Sequence, residues 1–183
     1  YGLLIHNVDD IKSKKFDDLF DKLHEIKALG KIKKLGFSIY TPEQASFLLN
    51  NFKFDLIQVP FNIIDRRMID SGIFTKLKQN NIEIHARSIF LQGLLIMPQE
   101  KRPKKFNKWN NLWKIWDQWL NDNQISALEA TVRYTLSNLQ VTKVIFGVNS
   151  LIQLKEVLGS ASGDLPKLPN ELLSDDAELL DPS

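Results

Sequence analysis

Four stretches of this sequence place a reactive or strongly hydrogen-bonding side chain within or directly behind an apolar run. His6 follows Leu3-Leu4-Ile5, Ser38 closes Leu35-Gly36-Phe37, Gln58 stands inside Leu56-Ile57-Gln58-Val59-Pro60, and Arg87-Ser88 closes Ile82-Glu83-Ile84-His85-Ala86. An imidazole offers a donor nitrogen and changes charge near neutral pH. A hydroxyl and a carboxamide at the ends of adjacent strands can together hydrogen-bond an amide. A guanidinium can stack on a flat ring or meet an anion. In a fifth set, Gly147-Val148-Asn149-Ser150, with Gln153 and Glu156, leads from the last apolar run into a helix whose free N–H groups suit an anion. His6 also has a plainer reading, a buried imidazole satisfied by its neighbours. His24 and His85 read as structural.

The elements that must position these groups centre on Lys33–Asn62, which reads as strand, helix, strand. Thr41 suits an N-cap, Pro42 the first helical position, and Gln44 completes a capping box. Ala45, Phe47, Leu48 and Phe52 supply the buried face of that helix. The strand before it ends at Ser38, and the strand after it runs from Asp55 to Pro60. Strand–helix–strand makes a parallel pair with a right-handed crossover.

The rest of the chain repeats this unit. Apolar residues at helical spacing predict a helix over 16–29, closed by Gly30, and another over 68–78. Ser126 and Glu129 form a second capping box, opening a helix through Leu139. A last strand is expected over 141–146 and a helix from Ser150 to about Leu158. Residues 91–97 read as a loop with a short helical turn. Over 106–121, Phe106, Trp109, Trp113, Trp116 and Leu120 form one helical stripe, in a segment that holds all four tryptophans. A regular aromatic stripe reads as packed core. Beyond Gly159 the sequence loosens, so residues 160–183 are expected to form a loosely ordered tail on a single domain covering 1–183.

Bulk composition excludes several functions. At 183 residues and net charge +2, nothing calls for a nucleic-acid partner. The cluster Lys101, Arg102, Lys104 and Lys105 reads as a solvated loop, with an anion contact as the other reading. The absence of cysteine removes disulfides, thiolate nucleophiles and thiolate metal sites, and no metal site is expected. No apolar run is long enough to cross a membrane, and the N-terminus is not a signal peptide, so a cytoplasmic location is expected. The chain opens inside a strand without a Met, and reads as a fragment of a longer product. There is no Gly-rich turn after the first strand, so the dinucleotide fingerprint and the phosphate loop are both missing. Strict alternation of strands and helices means a parallel sheet with helices outside. Five units are too few for a closed barrel of about 250 residues. That leaves an open five-stranded sheet or the C-terminal part of a barrel.

The ordered set of strand tips resembles the aldo-keto reductase family: a His after the first strand, Gly-x-Ser, Gln, small-x-Ser, then Gly-Val-Asn with a Gln-x-x-Glu helix. The resemblance covers nearly the whole chain. It implies an α/β fold that is the C-terminal part of a (β/α)8 TIM barrel, about five βα units with parallel strands. It also implies an oxidoreductase that moves hydride between a nicotinamide cofactor, NADP ahead of NAD, and a small-molecule carbonyl. His6 falls on the family's carbonyl-orienting His. The family's catalytic Tyr, Asp and Lys have no match, and Tyr1 is not the catalytic Tyr. Ser38 and Gln58 fall on carboxamide contacts, with Ile39 where the family commonly has Asn. Arg87 falls where many members stack an aromatic ring on the nicotinamide, and Ser88 begins the segment over the pyrophosphate. Gly147, Val148, Asn149, Ser150, Gln153 and Glu156 fall on the adenosine end. Gly147 replaces a Lys and Gln153 an Arg of other members. A half-barrel would also expose sheet edges to a second copy, giving a homo-oligomer, or act as a non-catalytic cofactor-binding module.

Overall fold

Parallel pairing follows chain order in the computed structural model, which describes residues 1–7, 11 and 16–181. The strands are β1 (Gly2–Ile5), β2 (Lys34–Ser38), β3 (Leu56–Pro60), β4 (Glu83–Arg87) and β5 (Lys143–Val144), in the order β1-β2-β3-β4-β5. The helices are α1 (Phe16–Ala28), α2 (Pro42–Asn51), α3 (Arg67–Asp70), α4 (Ile73–Gln79), α5 (Asn110–Asn123), α6 (Ala127–Ser137), α7 (Leu151–Gly159) and α8 (Ala177–Leu180). The final two residues of the expected tail lie outside the described set.

This arrangement corrects the expectation of a C-terminal part of an eight-stranded barrel. Five parallel strands spread from residue 2 to residue 144, and with the helices they occupy most of the chain. They form a sheet with β1 and β5 at its edges. The strand tips keep the same order in an open sheet and in a ring. Strand number and closure are therefore not written in them.

The capping boxes form as the sequence demands. Thr41 Oγ1 accepts from the Gln44 N–H at 3.3 Å while Gln44 Oε1 accepts from the Thr41 N–H, and Ser126 and Glu129 exchange the same pair of bonds. Two elements differ from expectation. The helix expected over 68–78 is broken into α3 and α4 at Gly72, which takes φ 73°, a conformation that suits glycine. The last strand shrinks to two residues. Just before it, Thr142 donates its N–H to the Ile84 carbonyl at 2.7 Å and accepts from the Ile84 N–H through its hydroxyl at 3.2 Å.

Two units divide the chain. The first comprises Tyr1–Pro60, Arg67–Arg87 and Gln140–Lys143. Alternation along each strand sends Leu35, Phe37, Ile57 and Ile84 to one face, where all are fully buried. Aromatic rings fill that core: Phe20 stacks on Phe37 at 5.7 Å, and Phe52 meets Phe16 edge-on at 5.4 Å. On α2, Ala45 and Leu48 are buried but Phe47 is half exposed. A Cβ on Gly36 would collide with the Leu56 carbonyl oxygen on β3, so a side chain there would force the two strands apart.

The second unit comprises Phe61–Arg66, Ser88–Leu139 and Val144–Ser183. Its core is the tryptophan segment, where Trp113, Trp116 and Trp119 are buried. Each indole N–H is satisfied, on Phe106 O, Leu95 O and Lys167 O respectively, and Trp109 donates to Asp176 at 3.1 Å. Leu172 and Leu179 are fully buried against the same cluster. The stripe is core, as its regular spacing predicts. Among the described residues no helix is long and apolar enough to cross a membrane, and no group of three or more His, Asp or Glu could hold a metal ion.

Candidate active site

In the first unit, strand register places polar residues side by side, with Ser38 at the end of β2 but Gln58 in the middle of β3 rather than at its end. Ser38 on β2 pairs with Gln58 on β3, and Gln58 pairs with His85 on β4. Residues in register on parallel strands point to the same face and sit about 4.8 Å apart. Phe37 pairs with Ile5, the last residue of β1, so His6 leaves the sheet level with Ser38 and is exposed. The sheet thus carries two of the predicted site residues, Ser38 and Gln58, in one row, and His6 follows the last residue of β1.

Ser38 is unusual. It is fully buried, and among the described residues its Oγ has no hydrogen-bond partner. Leaving a buried hydroxyl unsatisfied costs about 1–3 kcal/mol. Beside it the backbone is tied down, since the Ile39 N–H donates to the Gln58 carbonyl at 2.9 Å.

Arg87 ends β4 opposite Pro60. Its guanidinium carbon lies 4.3 Å over the ring centre of Tyr40, and Nη2 donates to the Ile39 carbonyl at 3.1 Å. Both contacts go to the loop behind Ser38. Tyr40, the ring that Arg87 covers, is one that sequence reading passed over.

The remaining predicted residues belong to the second unit. Ser88 takes φ 55°, and Leu91, Gln92 and Gly93 are all left-handed too, at 47°, 51° and 92°. Such a run in a short loop is strained backbone held by its surroundings. Asn62 helps hold it. The amide nitrogen of Asn62 donates to the Ser88 carbonyl at 3.1 Å, while its Oδ1 accepts from the N–H groups of Ile64 and Asp65. Asn62 is therefore structural, and so is Arg66, whose Nε donates to the Ile63 carbonyl at 2.8 Å.

At α7, Ser150 is the N-cap and accepts from the Gln153 N–H at 3.1 Å. Gln153 Oε1 in turn accepts from the Asn149 N–H at 2.8 Å, which leaves its amide nitrogen free to donate outward. Gly147, Val148, Asn149 and Glu156 are exposed, and a Cβ on Gly147 would meet nothing within 4 Å.

One cluster escaped sequence reading. Glu83 accepts from the Tyr1 hydroxyl at 2.7 and 2.8 Å and from Lys34 Nζ at 3.2 Å, and it lies 3.2 Å from His85 Nε2. Burial works against its charge, but the bonds from Tyr1, Lys34 and His85 win and hold its carboxyl down to about 2. The shared carboxylate raises the Tyr1 phenol. Glu83 and Lys34 lie far apart in the sequence, and only pairing across β2, β3 and β4 brings them together.

Parallel strands joined through helices define an α/β domain. The profile of the Aldo/keto reductase family matches residues 3–172, and the chain belongs to that family. No curated protein matches it in sequence. Solved structures share its fold. An aldo-keto reductase from Bacillus halodurans, in its holo form, matches at 18% identity and a TM-score of 0.67, covering 91% of this chain and 56% of that one. The apo form of that protein matches at the same identity and TM-score, over 98% and 59%. The glycerol dehydrogenase from Gluconobacter oxydans matches at 22% identity and a TM-score of 0.68, over 91% and 54%. The chain thus spans somewhat more than half the length of these relatives.

These matches correct the expectation that the chain is a C-terminal fragment of the family. The likeness runs through nearly all of its own length, from residue 3 to residue 172.

Proposed function

We propose that the chain binds a nicotinamide dinucleotide, NADPH ahead of NADH, and serves hydride transfer between that cofactor and the carbonyl of a small molecule. The observation that carries this reading is the buried, unpartnered hydroxyl of Ser38 in register with Gln58, in a chain of the aldo/keto reductase family. A ligand amide offers Ser38 the partner it lacks and can donate to the Gln58 carboxamide oxygen. Ser38 and Gln58 hold the carboxamide, and Arg87, clamped on Tyr40, adds a fixed positive charge from the end of β4. In the second unit, Ser88 takes the pyrophosphate segment. Gly147, Val148, Asn149, Ser150, Gln153 and Glu156 take the adenosine end, with the outward amide of Gln153 as a donor.

When bound, the cofactor supplies the hydride. His6 donates a hydrogen bond to the substrate carbonyl oxygen and so orients it. No residue of this chain matches the family's proton-donating Tyr or its Asp and Lys partners. The isolated chain is therefore expected to bind cofactor, with hydride transfer expected only where a proton donor is supplied to the carbonyl oxygen.

Tryptophan fluorescence during titration with NADPH and NADH tests the binding. A saturable change is expected, weakened about two- to tenfold in Ser38→Ala and Gln58→Ala, the effect of one hydrogen bond. No saturable change with either nucleotide defeats the reading. The statement about turnover fails separately, if the isolated chain oxidises NADPH with any member of an aldehyde and ketone panel and His6→Ala abolishes that rate.

A further inference from the structure

His85 stands beside Gln58, one strand further along the sheet. The two residues are in register on β3 and β4, so their side chains leave the same face about 4.8 Å apart. Ser38 stands on the other side of Gln58 in the same row.

The contact with Glu83 fixes the state of the imidazole. The Glu83 carboxyl is held at about 2, so at neutral pH it is a carboxylate and only accepts hydrogen bonds. His85 Nε2, 3.2 Å from Glu83 Oε2, therefore carries a proton and donates. In the neutral ring Nδ1 is then a bare acceptor. His85 is 6% exposed, yet among the described residues its Nδ1 makes no hydrogen bond. The carboxamide of Gln58 makes none there either. Gln58 is half-buried, and neither group is sealed in as Ser38 Oγ is.

Two acceptors at this spacing suit a planar NH2 group. Its two N–H bonds diverge by about 120°, so partners at hydrogen-bond distance from its nitrogen lie about 5 Å from each other. Neighbouring strands are separated by about the same distance. A primary amide has one carbonyl and two N–H donors. With Ser38 donating to the carbonyl and Gln58 accepting one N–H, the second N–H needs an acceptor, because leaving it unpaired in a buried site costs binding.

We propose that His85 is a specificity-determining residue of this site, its Nδ1 accepting the second N–H of the ligand's primary carboxamide while Gln58 Oε1 accepts the first. The identity of that amide rests on the nicotinamide reading. His85 adds a group that tells the amide from a ketone of the same shape.

The test titrates the whole chain by calorimetry with NADP⁺ and with its 3-acetylpyridine analogue, in which a methyl replaces the NH2. Two variants separate the ring nitrogens. His85→Asn places an amide oxygen where Nδ1 stands and falls short of Glu83. His85→Gln keeps a donor toward Glu83 and withdraws the acceptor. The parent is expected to prefer NADP⁺ over the analogue about fivefold, the effect of one hydrogen bond. His85→Asn is expected to bind NADP⁺ within about twofold of the parent, and His85→Gln about fivefold more weakly. Unchanged binding of the analogue by His85→Gln shows that this variant is folded. Free nicotinamide is followed at the imidazole ¹⁵N resonances of the parent, where a saturable shift of the His85 signal is expected. A purely structural His85 gives the opposite order, with His85→Asn losing both nucleotides and His85→Gln losing neither. That order overturns the proposal, and so does an equal loss of both nucleotides in His85→Gln. If neither dinucleotide binds the parent, the cofactor reading fails. The proposal then stands if nicotinamide still shifts the His85 signal and falls if it does not.

Discussion

Arg87 lies flat on Tyr40, its guanidinium carbon 4.3 Å from the ring centre, and the same guanidinium holds the carbonyl of Ile39. One side chain at the end of β4 thereby fixes the loop that follows Ser38. Positioning of this kind depends on the ring more than on the phenol. Tyr40→Phe is therefore expected to bind NADPH within about twofold of the parent. Tyr40→Ala, which removes a contact of about 0.5–1 kcal/mol, is expected to weaken binding by two- to fivefold. Fluorescence titration of the two variants side by side decides it, and equal affinities would show that the stack positions nothing.

Ser38 sets stability against binding. Its hydroxyl is buried and unbonded, so deleting it removes a desolvation cost of about 1 kcal/mol and introduces only a small void. Without ligand, Ser38→Ala is expected to melt about 2–4 °C higher than the parent. With saturating NADPH the order is expected to narrow or reverse, because the variant gains less from the ligand. Thermal unfolding with and without nucleotide reads both effects. A lower midpoint for the free variant would mean that the hydroxyl is satisfied after all.

Glu83 predicts an acid limit for the first unit. Its carboxyl is held at about 2, below the ordinary value of 4.5. A carboxylate with a lowered folded value contributes stability above its unfolded value and loses it as pH falls through the folded one. The window is thus about pH 4.5 down to about pH 2. Glu83→Gln is expected to be less stable than the parent at pH 6 by roughly 1–3 kcal/mol, with the gap closing toward pH 2. Urea unfolding at pH 6, 4 and 2.5 measures the gap, and a gap that stays constant across those three values would remove Glu83 as its source.

Trp116 anchors the second unit. It is fully buried, stacks on Trp119 at 5.6 Å, and donates its indole N–H to the Leu95 carbonyl at 3.0 Å. Trp116→Ala is expected to cost about 3–5 kcal/mol. Trp116→Phe keeps most of the packing but leaves the Leu95 carbonyl without its donor, so a smaller loss is expected, about 1–3 kcal/mol. Denaturant midpoints for both variants give the comparison. Equal losses would assign the whole effect to packing.

Local signals in the sequence were enough to define most of the elements. Thr41-Pro42 with Gln44, and Ser126 with Glu129, specify helix starts by chemistry contained within four residues, and both form as read. The tryptophan stripe announced a core because helical spacing puts those rings on one side whatever they pack against. The alternation of strands and helices likewise specified a parallel sheet. Gly72 shows where local reading fails. Apolar spacing runs straight through it, and only its left-handed backbone reveals the break between α3 and α4.

The sequence by itself determined where the strands lie and that Ser38 and Arg87 close two of them, because apolar runs and the polar groups behind them are neighbours in the chain. Tertiary structure alone decided how many strands make the sheet and which tips share a row, since register is a relation between segments twenty or more residues apart. It also decided that Ser38 has no hydrogen-bond partner among the described residues, that Arg87 lies over Tyr40, and that Tyr1, Lys34 and His85 gather on Glu83. Those facts depend on which surfaces become buried against each other, and no single stretch of the chain contains that information.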